Sequence, residues 1–345
     1  MIFRNDKYRL EMDRRKKAVG SLLLCAGAVL MMKLRMQQRQ TPTIRDGVLP
    51  KPDESAWRLV WEHGDDDAFI ACTSLTRQAF TLLLGEFAKH YHFNFNKGKG
   101  GRPSRLFKKQ DVLAFVLRYL VEPMTWKGLC QIYGIPRSTA NRTQVKAEEA
   151  LRTALHNLPD AAIRWPSLSE QRLWARAVQK KEPLVKGRWG FADGKNYHVM
   201  EPSNADLQNA MYNGWLHCVF ITGVLLYGAD GTICWVRHNY VGSWNDGETS
   251  RKMQEKLSRD DINLPDHGIL TDTAFPCVDH LRGRIMTSAK EGEIEKAPRH
   301  LQGIMTRLSA AITAVRQAAE WGVGAVEKVY QRLAKPHLQP KCAST

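Results

Sequence analysis

Two different patterns of apolar and polar residues divide the chain. From Trp57 to about Leu158 the apolar residues recur at helical spacing, which predicts a bundle of helices. After the Trp-Pro pair at 165–166, runs of apolar and aromatic residues alternate with short turns, and this pattern predicts strands. We therefore expect a helical domain over residues 56–165 and a mixed α/β domain over residues 166–345.

The helical domain contains a candidate helix-turn-helix. Helical spacing predicts one helix over Thr76–Tyr91 and a second, apolar nearly all round and therefore buried, over Asp111–Val121. A short helix from about Thr125 then ends at Gly134, a residue typical of helix C-termini. After a turn, a further helix begins near Ser138 or Thr139, because both residue types are good N-caps.

This order of elements is typical of DNA-binding helix-turn-helix domains, in which the leading turn of the second helix contacts the bases. The alternative interpretation is an ordinary helical hairpin, since the turn pattern is short. The candidate DNA-contacting residues on the leading turn are Arg137, Ser138, Asn141 and Arg142.

A strongly basic loop lies between the helices of this domain. Residues 97–109 include six basic residues, three glycines and no acid, which suits contact with DNA phosphates. The alternative is a solvated surface loop. The whole chain has a formal net charge of +16 and a pI near 9.6, so a polyanionic partner is expected, nucleic acid first and an acidic membrane surface second. The candidate phosphate-binding residues are Lys97, Lys99, Arg102, Arg105, Lys108 and Lys109.

The first 55 residues form a basic and apolar segment followed by a linker. Residues 40–55 are rich in proline and polar residues, as linkers are. Residues 18–32 are apolar and follow four basic residues, but they are shorter than the roughly 20 residues of a membrane-spanning helix. We expect a helix docked on the domain and no stable membrane insertion, with a signal peptide as the alternative. Seven cysteines without a Cys-x-x-Cys pair indicate reduced thiols and disfavour zinc.

The α/β domain places carboxylates at strand ends and on its last helix. The first strand lies within Trp189–Met200 and carries Asp193 near its middle. The elements expected after it are a hairpin (Trp215–Tyr227 and Thr232–Val241), a helix (Ser243–Leu257), a strand (His267–Thr271) and a final helix (Thr313–Ala334). This order of strands and helices predicts a ribonuclease-H-like arrangement.

Three acids are the candidate catalytic and metal-binding residues: Asp193, Asp272 and Glu320. Two divalent cations about 4 Å apart activate the attacking oxygen and stabilise the leaving oxygen of a phosphodiester, and carboxylates are needed to hold them. Each acid also has a simpler interpretation. Asp193 with the next glycine is typical of a hairpin turn, Asp272 of a cap after its strand, and Glu320 of a surface acid paired with Arg316.

Two further acids are candidates for a supporting role or for metal binding. Asp246 lies in the first turn of a helix whose N-cap is expected to be Ser243, so helix capping is the first interpretation. Metal binding or support of the metal ligands is the second. Glu327 lies two turns beyond Glu320 on nearly the same helix face and is the alternative third ligand.

Several motifs, taken in order, resemble one family. The motifs are Asp193-Gly194 with a proline at 202, Tyr212-Asn213, an Asp-Gly turn at 230–231, Gly242-Ser-Trp-Asn-Asp246, Asp272-Thr-Ala-Phe-Pro276, and a helix with Arg316, Glu320, Gly324, Val326 and Tyr330. Over roughly residues 75–335 the chain resembles the DDE-superfamily transposases of the PIF/Harbinger type and the nucleases derived from them. Departures include Lys195-Asn196 where a histidine often follows the first Asp-Gly, Val241 where a proline is usual, and Glu327 where a lysine is frequent.

The resemblance implies a DDE nuclease domain with a ribonuclease-H-like fold, preceded by an all-α helix-turn-helix domain. It implies that Asp193, Asp272 and Glu320 form a catalytic triad holding two Mg²⁺ or Mn²⁺ ions and that the enzyme cuts and joins DNA phosphodiesters. It also implies double-stranded DNA as a partner, a Myb-like DNA-binding accessory protein, a homo-oligomer and a place in the nucleus. The alternative is a domesticated, catalytically inactive DNA-binding protein.

Overall fold

The computed structural model describes residue 44 and residues 46–93, 105–275, 281, 283–290 and 292–334. The chain divides into two compact units, one up to Leu49 and one from Pro50 onward. The apolar segment at 18–32 and most of the basic loop lie outside the described residues. The second unit contains both predicted domains, and the boundary between them at 165–166 stays a prediction.

Among the described residues, seven α-helices precede the sheet. They are α1 (Ala56–His63), α2 (Asp66–Thr73), α3 (Arg77–His90), α4 (Lys109–Val121), α5 (Trp126–Tyr133), α6 (Arg137–Asn157) and α7 (Leu168–Lys181). The predicted helices over Thr76–Tyr91 and Asp111–Val121 are confirmed as α3 and α4. All seven residues from Asp111 to Leu117 are buried, and so is Val121, which makes α4 the central helix.

The helical region packs around aromatic rings and one buried carboxylate. Trp57, Phe69 and Phe80 pack against each other with ring centroids 5.5–5.7 Å apart. At their edge the Trp57 indole nitrogen donates to Asp111 Oδ1 at 3.2 Å, and an Arg58 guanidinium nitrogen lies 3.7 Å from the same oxygen. This carboxylate is therefore held by a donor and a cation from α1.

The short helix predicted from about Thr125 to Gly134 is present as α5, and the next helix begins one or two residues earlier than predicted. The helix-turn-helix assignment itself stays a prediction. Thr125 caps α5 by accepting from the Gly128 N–H, and Gly134 ends it in the left-handed conformation at φ 62°. A side chain at Gly134 would also strike the Pro50 carbonyl oxygen, at 2.3 Å from an added Cβ. The next helix begins at Arg137, and its N-cap residue, Pro136, makes no side-chain cap hydrogen bond.

A mixed sheet forms the second half of the unit. Its strands are β1 (Arg188–His198), β2 (Tyr212–Asn213), β3 (Cys218–Gly228), β4 (Ile233–Val241), β5 (Gly268–Leu270) and β6 (Ile285–Met286). Strand β1 is central. It pairs antiparallel with β3, which pairs antiparallel with β4, and parallel with β5, which pairs parallel with β6. The predicted mixed α/β architecture is confirmed.

Helices cover both faces of this sheet. The helices after β1 are α8 (Ala205–Met211), α9 (Asp246–Leu257), α10 (Glu293–Lys296) and α11 (Arg299–Val329). Met253 and Leu257 of α9 pack with Ala192, Val224 and Ile269 on one face. On the other face, Ile312, Val315 and Ala319 of α11 pack with Phe191 and Leu270.

Two predicted helix boundaries were wrong. The final helix begins at Arg299, fourteen positions before Thr313, and ends at Val329 before a short 3₁₀ turn over Gln331–Ala334. Its early turns are largely exposed, so they lack the apolar stripe that marked the later ones. The helix predicted from Ser243 begins at Asp246, and its N-cap is Asn245, whose side chain accepts from the Glu248 N–H at 2.9 Å.

The chain after α11 returns to the helical region. Arg332 is buried, and its guanidinium donates to the carbonyls of Tyr119, at 2.5 Å, and Met124, at 3.2 Å. The same group lies 3.8 Å from the Tyr119 ring centroid. These contacts fasten the end of α11 to the C-terminal end of α4.

Within the described residues, no single helix is long and apolar enough to cross a membrane. The bent pair α2 and α3, with 54° between the helices, passes the same test together.

Candidate active site: carboxylates around the end of strand β1

Asp193 lies in the middle of β1 and points to the α11 side of the sheet. Strand β1 runs unbroken through Asp193 and Gly194, which pair with Leu225 and Val224 of β3, so the hairpin-turn interpretation is excluded. Side chains alternate between the faces of a strand. Phe191 packs with α11 and Ala192 packs with α9, so Asp193 follows Phe191 toward α11.

Asp272 lies beside Asp193 at the end of the neighbouring parallel strand. Phe191 of β1 pairs with Leu270 of β5, and each acid follows its paired residue by two positions. Because adjacent strands are about 4.8 Å apart, this register places the two acids side by side. Asp272 also accepts from the Thr273 N–H at 2.6 Å, which fixes its side chain against the turn that follows β5.

Helix α11 brings two acids to the same face, each paired with a cation. Glu320 accepts from Arg316 one turn earlier at 2.8 Å, as its simpler interpretation predicted. Glu327 is 2.8 Å from Lys195 of β1. The charge of Glu320 acts on Asp193, whereas that of Glu327 acts on Tyr197. These charge effects favour Glu320 over Glu327 as the acid of α11 nearer to Asp193.

The environment of Asp193 favours its neutral form. Burial is the main cause and raises its pKa to about 6, and the negative charges of Asp272 and Glu320 raise it further. The Arg316 guanidinium opposes this shift, and so does a hydrogen bond from the Gly194 N–H at 3.1 Å. A half-buried carboxylate among like charges has a high affinity for added cations, because a cation relieves the repulsion.

Asp246 approaches the cluster from the opposite face of the sheet. A Cβ placed on Gly194 would lie 2.7 Å from Asp246 Oδ1, so this carboxylate rests on the backbone of β1 next to Asp193. Burial raises the pKa of Asp246, and the charge of Asp272 adds to the effect. Asp246 is also the first residue of α9, where an acid favours the helix dipole. Asp272 thus lies between acids on both faces.

The donor set fits a hard divalent cation in chemistry. Carboxylate oxygens are the ligands that Mg²⁺ and Mn²⁺ prefer, and Asp193, Asp272 and Glu320 provide them around one strand end. Among the described residues, however, no three acidic, histidine or cysteine side chains converge as a metal site. Glu320 is turned toward Arg316, and this ion pair has to open before Glu320 can join the two aspartates.

The residues of the predicted recognition helix lie on the surface of α6. Arg137, Ser138, Asn141 and Arg142 are all exposed, within two turns of the helix. The Arg142 side chain bonds to the Ser138 carbonyl at 3.3 Å, which is a contact within the helix. The four side chains are therefore accessible to a ligand.

The described part of the basic loop has a structural role. Arg105 donates to the Gly134 carbonyl at 2.9 Å, and Lys109 donates to the Ala88 carbonyl. Lys108 is 2.7 Å from Asp53. These three residues were predicted to bind phosphate, and in this structure they connect the loop to the helices. Lys97, Lys99 and Arg102 lie outside the described residues.

Two features of the cluster were missed by sequence reasoning. Arg316 is the cation inside the carboxylate cluster and had been considered only as a surface partner of Glu320. The second is the buried Tyr227 hydroxyl, which has no hydrogen-bond partner among the described residues and lies near enough to Asp193 for that charge to raise its pKa. The signal for Arg316 was its spacing of four from Glu320, whereas no local pattern marks Tyr227.

A comparison with protein-family models finds one match, to the family described as DDE superfamily endonuclease, over residues 192–344. The match covers less than half of the chain but includes every acid of the cluster. It indicates a domain of the nuclease or transposase type and, with the sheet order above, a ribonuclease-H-like fold. A search of curated proteins and a search of solved structures find no match.

Proposed function

We propose that this protein is a DNA endonuclease or transposase of the Harbinger type that cuts and joins phosphodiesters with Asp193, Asp272 and Glu320. The observation that supports this most directly is electrostatic. Asp193 is half-buried beside two acids from different elements, and both of their charges act on it. A fold stabilised only by packing has no need for three like charges around one strand end, since they destabilise it.

The residues of the cluster have distinct parts in this proposal. Strand β1 fixes Asp193, and the Thr273 N–H orients Asp272. Glu320 turns from Arg316 to join them, and the released guanidinium is then free to bind a DNA phosphate. When bound, Mg²⁺ or Mn²⁺ supplies charge for the attacking and leaving oxygens. Asp246 rests on Gly194 and supports the site from the other face.

The direct test is cleavage of supercoiled plasmid by the full chain in Mg²⁺ or Mn²⁺, with a chelator control. We expect nicking that the chelator abolishes and that Glu320→Gln removes. Glu327→Gln is the matched control, because it changes the same residue type on the same helix but removes the ion pair with Lys195. Cleavage lost with Glu327→Gln and kept with Glu320→Gln would assign the third ligand to Glu327.

A second candidate function is that of a catalytically inactive DNA-binding protein. The ion pair between Arg316 and Glu320 favours it, because in this arrangement an internal cation already neutralises one acid of the cluster. DNA binding without any metal-dependent cleavage of the plasmid would select this alternative.

For duplex binding we propose the exposed residues of α6, Arg137, Ser138, Asn141 and Arg142, together with Lys97, Lys99 and Arg102. Each neutralised phosphate contributes about 0.9 to the slope of log affinity against log salt. Arg137→Ala with Arg142→Ala should reduce that slope by up to about 2. Lys108→Ala is a control, because that side chain pairs with Asp53. An unchanged slope in the double variant would show that other residues bind the duplex.

We also propose a nuclear location, assembly as a homo-oligomer and help from a Myb-like DNA-binding protein. The net charge of +16 supports DNA as the partner, and the other three rest on the family resemblance. Imaging of a tagged full chain tests the first, and light scattering with and without DNA tests the second. A pull-down with a Myb-like DNA-binding protein from the same organism tests the third.

A further inference from the structure

Four aromatic side chains lie on two neighbouring segments, 212–215 and 240–244, which meet where the Asn213 side chain bonds to the Gly242 carbonyl. They are Tyr212, Trp215, Tyr240 and Trp244, here called the aromatic patch. Trp215 is 89% exposed and Trp244 is 45% exposed. Exposed tryptophans on two adjacent segments indicate a binding surface, because large apolar rings are otherwise buried in the core.

The two segments that carry these rings are fastened together. The Asn213 side-chain oxygen accepts from the Trp215 and Leu216 N–H groups, both at 3.0 Å, and its amide nitrogen donates to the Gly242 carbonyl at 3.0 Å. Gly242 in turn allows the close approach, because an added Cβ would lie 2.5 Å from the Met211 carbonyl oxygen. The loop that holds Trp215 is therefore held against the turn that holds Trp244.

The Trp244 side of the patch is ordered and is adjacent to the carboxylate site. The rings of Tyr240 and Trp244 stack, with centroids 5.2 Å apart and 25° between their planes. Trp244 precedes Asp246 by two residues, and Asp246 rests on Gly194 next to Asp193. A ligand on the patch thus lies beside the proposed reaction centre.

The charge around the patch fits an anion. Residues 211–218 and 237–245, which carry all four rings, contain no acidic residue and include Arg237, His217 and His238. Aromatic rings next to basic groups are the usual platform for unpaired nucleobases, since each base offers a flat face and each nucleotide a phosphate. A duplex hides those faces in its stack, so the patch fits single-stranded DNA better than double-stranded DNA.

We propose that the aromatic patch binds unpaired bases of the DNA strand next to the cleavage site, with Trp215 and Trp244 as the stacking residues. This inference rests on the proposed function for its choice of DNA. It assigns to the chain a single-strand subsite that is distinct from the duplex contacts proposed for α6.

The test measures binding of the full chain, by fluorescence anisotropy in chelator, to three DNAs that share one duplex. The first is blunt, the second has a four-nucleotide overhang, and the third has an abasic overhang of the same length. The abasic strand keeps the phosphates and lacks the bases. We expect the base-containing overhang to bind about 10-fold more tightly than the abasic one, as stacking of one or two bases predicts.

Trp215→Ala and Trp244→Ala should each remove most of that preference and leave blunt-duplex binding unchanged. Trp215→Phe should retain most of it, because phenylalanine also stacks. Trp321→Ala is the matched control, since that tryptophan is 67% exposed on α11 beside Lys181. It should leave the preference unchanged.

Equal affinity for the two overhangs in the wild-type chain would overturn the inference. So would a loss of preference with Trp321→Ala equal to that with Trp215→Ala. A patch variant that changes the oligomeric mass, or releases the chain from vesicles, with no effect on the overhang preference would assign the surface to a second copy or to lipid instead. Plasmid cleavage with no overhang preference would contradict only this inference. Overhang preference without cleavage would contradict only the proposed nuclease activity.

Discussion

Asp111, buried in the helical region, and Asp193, half-buried in the sheet, are two aspartates whose surroundings differ. Burial raises the pKa of each to about 6. Asp111 receives a hydrogen bond from Trp57 and faces the Arg58 guanidinium. Asp193 receives one hydrogen bond from its own neighbour Gly194 and faces Asp272 and Glu320.

The comparison shows that a perturbed pKa does not by itself identify a site. Asp111 joins two helices, because its partners compensate its charge. Asp193 is surrounded by further acids, so the compensation is incomplete and a cation from outside can improve it. Both aspartates lie near a guanidinium, Arg58 for Asp111 and Arg316 for Asp193. The candidate catalytic acid is distinguished by two neighbouring acids, Asp272 and Glu320, whereas Asp111 has one, Asp53.

The largest effect should separate the two residues in cleavage. Asp193→Asn should reduce plasmid nicking at least about 1,000-fold, equivalent to about 4 kcal/mol of transition-state stabilisation. Asp111→Asn should reduce it little, since the amide oxygen still accepts from Trp57. Rates of nicking in Mg²⁺ measure both. Comparable losses in the two variants would mean that the site depends on the helical region as much as on the cluster.

The next largest difference between the Asp111 and Asp193 variants should be in the stabilisation that a bound metal ion gives. Mn²⁺ at about 100 times its dissociation constant should stabilise the folded chain by about 2.7 kcal/mol. Asp111→Asn should keep this gain, and Asp193→Asn should lose most of it. Thermal unfolding with Mn²⁺ and with chelator provides the measurement. A gain that persists in Asp193→Asn would place the ion elsewhere in the chain.

Without metal, the Asp111 variant should lose more stability than the Asp193 variant. Asp111→Ala leaves the buried Trp57 N–H without its partner and one side of Arg58 uncompensated, so it should lower the free energy of unfolding by about 2 kcal/mol. Asp193→Ala removes one of several like charges and should leave that free energy unchanged or raise it. Urea unfolding in chelator compares them. A larger loss for Asp193→Ala would show that the cluster also supports the fold.

The smallest effect concerns pH. The pKa of both aspartates is higher in the folded chain than in the unfolded one, so each adds stability at low pH that is lost as the pH rises through about 6. Only Asp193 should couple to metal: Mn²⁺ affinity should fall about tenfold per pH unit below pH 6, because a metal ligand must be ionised. Calorimetry at pH 7 and pH 5 tests this. Asp111→Asn should show the same pH dependence.

The sequence predicted the parts of this fold that have local causes. Thr76, Thr125 and Gly134 were identified as helix ends because caps and left-handed glycines act within a few residues. The predicted N-cap of α9 was wrong, because the cap is Asn245 and not Ser243. Both residue types are good N-caps, and the turn at 242–244 decides between them.

Contacts between distant segments could not be predicted in the same way. Asp246 approaches Gly194 although the β3–β4 hairpin separates α9 from β1 in the sequence. No spacing of residues in the sequence predicts this contact. The predicted phosphate-binding role of Arg105 illustrates the reverse error. Its basic surroundings indicated a free cation, but the Gly134 carbonyl, 29 residues away, accepts a hydrogen bond from it.

The hydrogen bonds from Arg332 to the end of α4 bear on the order in which parts of the protein fold during translation. The ribosome releases the α4 segment early, whereas Arg332 emerges 208–213 residues after the carbonyls that it binds, behind the helix that bears Glu320. A nascent chain without that helix has its helical region but lacks the third acid of the cluster. The proposed DNA-cutting centre is therefore assembled last, after the surface proposed to hold the DNA.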